Sequence, residues 1–106
     1  MKSEANIKAE ILLWLSEQSN IIAWNNPTGL AKSMDGKYHI RFGLVGSPDI
    51  LGVIGPPGRF LGIETKTLRG KQRESQKRFQ KAFEAQGGLY MVARSVDDVR
   101  EGLDEA

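Results

Sequence analysis

Pro48-Asp49-Ile50-Leu51-Gly52-Val53-Ile54-Gly55-Pro56-Pro57-Gly58-Arg59-Phe60-Leu61-Gly62-Ile63-Glu64-Thr65-Lys66 is the stretch on which the fold turns. Two β-rich runs, 50–54 and 60–63, are joined by Gly55-Pro56-Pro57-Gly58-Arg59, a cluster of turn formers that predicts an antiparallel hairpin. With the turn centred between Pro56 and Pro57, residues equidistant from that centre lie opposite one another, and Asp49 and Glu64 are such a pair. Strand alternation sets Lys66 on the face of Glu64, with Ile63 and Thr65 on the other. One face of the hairpin therefore gathers an aspartate, a glutamate and a lysine.

Upstream of the hairpin, Ile7, Ile11, Trp14 and Leu15 recur at three- and four-residue spacing, which predicts an amphipathic helix over residues 4–18. Ile21–Trp24 reads as a short buried strand, stopped by Asn25-Asn26-Pro27-Thr28-Gly29. From there to about Tyr38 the composition is that of a loop. Tyr38–Phe42 reads as a brief strand, and Gly43–Pro48 returns to loop. Downstream, Leu68–Arg73 is a polar connection into a helix from about Glu74 to Gln86, closed by Gly87-Gly88. Leu89–Ala93 is the next strand, and Ser95 followed by Asp98 caps a last short helix to about Leu103. The expected class is α/β, with an αβββαβ core in which helices flank a central mixed sheet.

At 106 residues, with 40% hydrophobic and 26% charged side chains, the chain is sized and composed for a single folded domain. Ile11–Leu15 is the longest apolar run, and Glu4, Lys8 and Glu10 interrupt the N-terminal region, so neither a membrane span nor a secretory core is expected. The absence of cysteine excludes disulfides, a thiolate nucleophile and a zinc-thiolate site, and the single histidine, His39, excludes a two-histidine metal centre. Any metal must sit on oxygen. The formal net charge of +2 is small but unevenly spread. Lys66, Arg69, Lys71, Arg73, Lys77, Arg78 and Lys81 crowd one stretch against the single acid Glu74, as either a solvated helix face or a phosphate-facing stripe.

Two carboxylates directly opposite one another repel, and a cation or a metal relieves them. Magnesium suits such a pair, because it is held by one or two carboxylates together with water and phosphate oxygens. A lysine beside it would stabilise charge developing on a phosphate or assist an attacking water. The competing reading is an ordinary salt bridge on a wet sheet face.

Pro48-Asp49, then fourteen residues, then Glu64-Thr65-Lys66 resembles the PD-(D/E)XK nuclease pattern, and the order of elements is similar to that superfamily's core. A more specific resemblance is to the virus-type replication and repair nuclease (VRR-NUC) family. Asn26 with Gly29, Arg41-Phe42-Gly43, Gly46–Ile50, Gly62–Lys66, Gln76 and Gly87-Gly88 follow that family's pattern in order, across almost the whole chain. The resemblance implies a stand-alone nuclease domain over residues 1–106. Asp49, Glu64 and the Thr65 main-chain carbonyl would ligate Mg2+, with Mn2+ as substitute, and Lys66 would position or activate water for in-line phosphodiester hydrolysis.

Two further positions combine that resemblance with helical spacing. Gln76 shares a face with Phe79 and Phe83, so it should point to the sheet, beside the active-site lysine or capping a backbone group. Glu4 shares the Ile7 and Ile11 face and matches a metal-ordering glutamate, with Glu10 as its competitor and a helix-dipole role as the alternative. For DNA contacts the candidates are Asn26, Thr28 and Lys32 in the loop, Arg41, and Arg69, Lys71, Arg73 and Lys77 of the basic stripe. His39 is assigned no role.

The expected activity is that of a magnesium-dependent endonuclease selecting branched or duplex DNA by shape, in the manner of a Holliday-junction resolvase. Such an enzyme acts as a homodimer. Trp14, Leu13 and the C-terminal helix are candidate dimer surfaces, with core as their other reading. No membrane partner and no small organic cofactor is expected, and the expected location is the cytoplasm of a bacterial or phage-infected cell. The alternatives are a flap-cutting, nicking or restriction-like nuclease with the same site, and a non-catalytic DNA-binding module. The latter gains nothing from acids beside phosphate. A two-carboxylate glycosidase leaves Lys66 without a task.

Overall fold

The hairpin forms in the expected register. In a computed structural model describing residues 2–106, β4 (Ile50–Ile54) pairs antiparallel with β5 (Arg59–Thr65), Ile50 facing Ile63 and Ile54 facing Arg59. β1 (Ile21–Asn25) adds antiparallel to the outer edge of β4, and β6 (Leu89–Ala93) adds parallel to β5. The resulting order, β1-β4-β5-β6, is a mixed sheet. A parallel pair cannot be closed by a tight turn, and α2 (Glu74–Ala85) is the crossover that joins β5 to β6.

Helix α1 (Glu4–Ser16) opens where the Ser3 hydroxyl accepts the Asn6 amide at 3.1 Å. Its Ile7, Ile11 and Leu15 meet Ile50, Leu61, Ile63 and Ala93 of the sheet, with Val99 of α3 (Val96–Asp104), to form the core. On the opposite face of β5, α2 lays Phe83 against Phe60 and Tyr90, with ring centroids 6.2 Å apart in both pairs. Gly88 admits that ring, since a Cβ there would collide with Phe83 Cε2. The sheet thus has an apolar side under α1 and α3 and a mixed aromatic and polar side under α2.

One expectation is corrected. Residues from Gly29 do not run as loop to Tyr38, because β2 (Gly29–Lys32) pairs antiparallel with β3 (His39–Phe42) as a separate two-stranded ribbon. Gly-Leu-Ala-Lys has no β-branched residue and no clear alternation, so it becomes a strand through its partner rather than through propensity. The ribbon is an addition to the expected core, and α3 is the last short helix that the Ser95 cap predicts. Helix α1 also ends at Ser16, short of the expected residue 18. Among the described residues no helix is long and apolar enough to cross a membrane.

Candidate active site

Asp49 lies just before β4 and is fixed from both sides. The Asn26 backbone amide donates to the Asp49 carbonyl at 2.7 Å, and the Asn26 side-chain amide donates to the Ser47 hydroxyl and the Pro48 carbonyl, each at 2.9 Å. Across the hairpin, the Thr65 amide and hydroxyl donate to Asp49 Oδ2 at 2.8 and 2.9 Å. One carboxylate oxygen is thereby anchored. Among the described residues Oδ1 has no such partner.

Glu64 is 2% exposed and points to the α2 side. Gln76 donates its Nε2 to Glu64 Oε1 at 2.7 Å, and the Tyr90 hydroxyl donates to Oε2 at 3.1 Å. Lys66 Nζ stands 3.9 Å from Oε1, itself buried, so it partly offsets the charge without a tight ion pair. Burial, and then the neighbouring Asp49 carboxylate, push the Glu64 carboxyl up to about 7. Burial and the Glu64 charge push the Tyr90 phenol upward as well.

Gln76 does two things with one amide. While its nitrogen serves Glu64, its oxygen accepts the Arg73 backbone amide at 2.7 Å, which closes the first turn of α2. The helix start and the carboxylate are therefore set by the same side chain. Gln72 extends the network, donating to Tyr90 at 3.4 Å and Gln80 at 2.9 Å.

These groups open into a cleft of about 340 Å3 lined by Asp49, Glu64, Thr65 and Lys66, with Glu4 and Lys8 of α1 and Arg73 of α2 at its edges. A larger cavity, about 620 Å3, lies at the far end of the sheet around Trp14, Pro57 and Leu103 and holds no acid pair with a lysine. Glu4 lines the same cleft as the two acids, on the side its helical spacing predicts, and is solvent-exposed at the rim.

Among the described residues no three Asp, Glu or His side chains gather to hold an ion. The donor set that remains, two facing carboxylates of which one is raised by burial and then by the other's charge, fits a hard cation completed by a main-chain carbonyl, water or phosphate. Thr65 is placed for the carbonyl role only in being part of the cleft lining.

The DNA candidates separate into three groups. Asn26 donates its side-chain nitrogen to Ser47 and Pro48, next to Asp49. Thr28, Arg41 and Arg73 line a second groove of about 240 Å3, and Arg73 belongs to both grooves. Lys32, Arg69, Lys71 and Lys77 are exposed, Lys77 within 3.3 Å of Glu74. Sequence reasoning missed Tyr90, Gln72 and Lys8. A tyrosine inside an otherwise aliphatic strand was the available signal, since a buried hydroxyl requires a partner. Nothing in the sequence set the register that puts it opposite Gly62, next to Glu64.

An acid pair and a lysine at one end of a mixed sheet flanked by helices define the class of nucleases built on the PD-(D/E)XK fold. Within it the chain belongs to the VRR-NUC family, whose domain matches residues 4–97, from the start of α1 into α3. Among curated proteins none matches the chain. Membership makes this a nuclease-type domain with DNA as its substrate class, in a family that typically uses divalent metals.

Proposed function

We propose that this chain is a Mg2+-dependent endodeoxyribonuclease acting on branched DNA, in the manner of a Holliday-junction resolvase, and working as a homodimer of single domains. The observation that carries the reading is the convergence of Asp49, Glu64 and Lys66 in one cleft, with Arg73 at its edge to meet phosphate. Asp49, Glu64 and the Thr65 carbonyl would hold Mg2+ or Mn2+, which supplies Lewis-acid stabilisation of the phosphate and lowers the pKa of water.

The chain's own residues do the rest. Lys66, buried beside Glu64, places a positive charge where a phosphate gains negative charge. Gln76 and Tyr90 hold the Glu64 carboxylate in one orientation, and Thr65 does the same for Asp49. Arg41, Lys32, Arg69, Lys71 and Lys77 offer exposed cations for the DNA backbone. For the dimer surface, Leu13 is the exposed apolar candidate, whereas the Trp14 ring is partly covered by Arg100, 5.7 Å from its centroid.

The test uses labelled four-way junction, splayed, flap and linear duplex DNA with magnesium, manganese or chelator. Paired symmetric cuts in the junction, lost in Asp49→Ala and Lys66→Ala and with chelator, are expected. Preference for flap or nicked substrates would replace the resolvase reading with another nuclease of the same site. Binding of branched DNA without metal-dependent cutting would replace it with a non-catalytic module.

A further inference from the structure

Among the secondary-structure elements the β2–β3 ribbon packs chiefly on itself. An isolated two-stranded hairpin is marginal in water, so a ribbon held away from its body is completed by what it binds. Pairing assigns its faces. Leu30 faces Arg41 and Lys32 faces His39, so one side carries the cations, while Ala31 faces Ile40 on the other side. The Ser33 amide donates to the Tyr38 carbonyl at 2.8 Å, which continues the ladder and puts Tyr38 with Ile40 and Phe42. Those three are 67%, 51% and 42% exposed, an unpartnered apolar and aromatic stripe.

Charge and continuity identify the partner. Lys32, Lys37 and Arg41 outnumber the single acid Asp35, whose carboxylate is turned into the tip, accepting from the Ser33 hydroxyl at 2.6 Å and the Lys37 amide at 3.0 Å. At the base of the ribbon, Arg41 shares a groove with Arg73, and Arg73 also edges the acid cleft. The ribbon is thus joined to the site by cations. A second copy seated on the apolar stripe would leave Lys32 and Arg41, on the other side of the ribbon, without a partner. Branched DNA supplies both halves of what the ribbon presents: phosphates for one face and unstacked bases, each with a π-face, for the other.

We propose that the β2–β3 ribbon is a wedge that enters the branch point of DNA, its Tyr38, Ile40 and Phe42 face taking the unstacked bases and Lys32, His39 and Arg41 holding the backbone on the other side. The inference rests on the nuclease reading of the acid cleft and deepens it, because a continuous duplex offers no unstacked base and the ribbon then selects junctions.

The experiment places 2-aminopurine at the branch point of a four-way junction and measures fluorescence and affinity in chelator, where no cutting occurs. Saturating wild-type protein is expected to raise the fluorescence. Tyr38→Thr/Ile40→Thr, which keeps β-branched residues in the strand, is expected to lose that rise and bind the junction about tenfold more weakly, with unchanged affinity for linear duplex. Lys32→Gln/Arg41→Gln is expected to weaken binding to both DNAs and to flatten the salt dependence while keeping the rise at saturation.

The wedge is overturned if wild-type protein gives no rise, or if the Tyr38 and Ile40 variant keeps it. It is also overturned if that variant, folded by circular dichroism, sediments as a lighter species than wild type, since a second copy then covers the stripe. A parallel assay with magnesium separates the two readings. Fluorescence without cutting sinks the nuclease and leaves the wedge, and cutting without fluorescence sinks the wedge alone.

Discussion

Strand β5 sends alternate residues into two different environments, and the contrast separates what holds this protein together from what works in it. Leu61 and Ile63 enter the apolar core beneath α1 and α3, both fully buried. Glu64, between Ile63 and Thr65, faces α2 and meets Gln76, Tyr90 and Lys66. The first side is stabilised by removing apolar area from water, about 25 cal/mol per Å2. The second confines a carboxylate next to another one, which opposes folding and is limited by hydrogen bonds. A side maintained against its own repulsion is the side that carries the candidate site.

The sharpest test exchanges the two kinds of damage. Asp49→Asn removes one of the two like charges while keeping an oxygen for Thr65, so junction cleavage is expected to fall at least about a hundredfold. Its thermal midpoint in chelator is expected to equal or exceed that of wild type. Ile63→Ala should behave the other way, losing roughly 2–5 kcal/mol in urea denaturation while the cleavage rate per folded molecule stays within about threefold. Loss of stability in the first variant, or a hundredfold loss of rate in the second, would break the division between the faces.

The acid side also makes stability depend on pH in a definite direction. Glu64 has its carboxyl raised from 4.5 to about 7 in the folded chain, so the folded state binds a proton that the unfolded state has released. Its contribution is fully present below pH 4.5, is lost as pH rises to about 7, and is absent above that. In chelator, the unfolding free energy attributable to this group should therefore decline across that window, and Glu64→Gln should remove the decline. Magnesium held by the ionised pair, as proposed, would raise the thermal midpoint more at pH 8 than at pH 5. Equal stabilisation at both values would place the ion away from these carboxylates.

The legible parts of the sequence were those fixed by short range. Four turn residues centre the hairpin, so the opposition of Asp49 and Glu64 follows from counting, and the helical spacing of Gln76 with Phe79 and Phe83 turns it to the sheet. What the sequence withheld depends on long-range pairing. Tyr90 reaches Glu64 only because the α2 crossover sets β6 in parallel register with β5. β2 is a strand only because β3 lies beside it. Asn26 reads as a turn residue, and its side-chain nitrogen bridges Ser47 and Pro48, a contact between chain segments that no local pattern encodes. Helical spacing brings Glu4 to the rim of the cleft that Asp49 and Glu64 line, though periodicity specifies a direction and not how deeply a first turn is covered.

The finest probe of the two faces is Tyr90→Phe, which deletes one hydroxyl and leaves the ring that packs edge-on to Phe83. The Tyr90 hydrogen bond acts to lower the Glu64 carboxyl, against the larger influences of burial and Asp49. Without it the carboxyl rises further and ionises at higher pH, so the acid limb of the cleavage profile moves upward and half-saturation by magnesium below neutral pH needs more metal. The rate at the alkaline plateau, where Glu64 is ionised in both proteins, is expected to change less than about threefold, and stability to fall by about 1 kcal/mol. A purely structural tyrosine would lower the stability and leave the acid limb where it was. Movement of the limb with a nearly constant plateau therefore assigns Tyr90 to positioning the carboxylate.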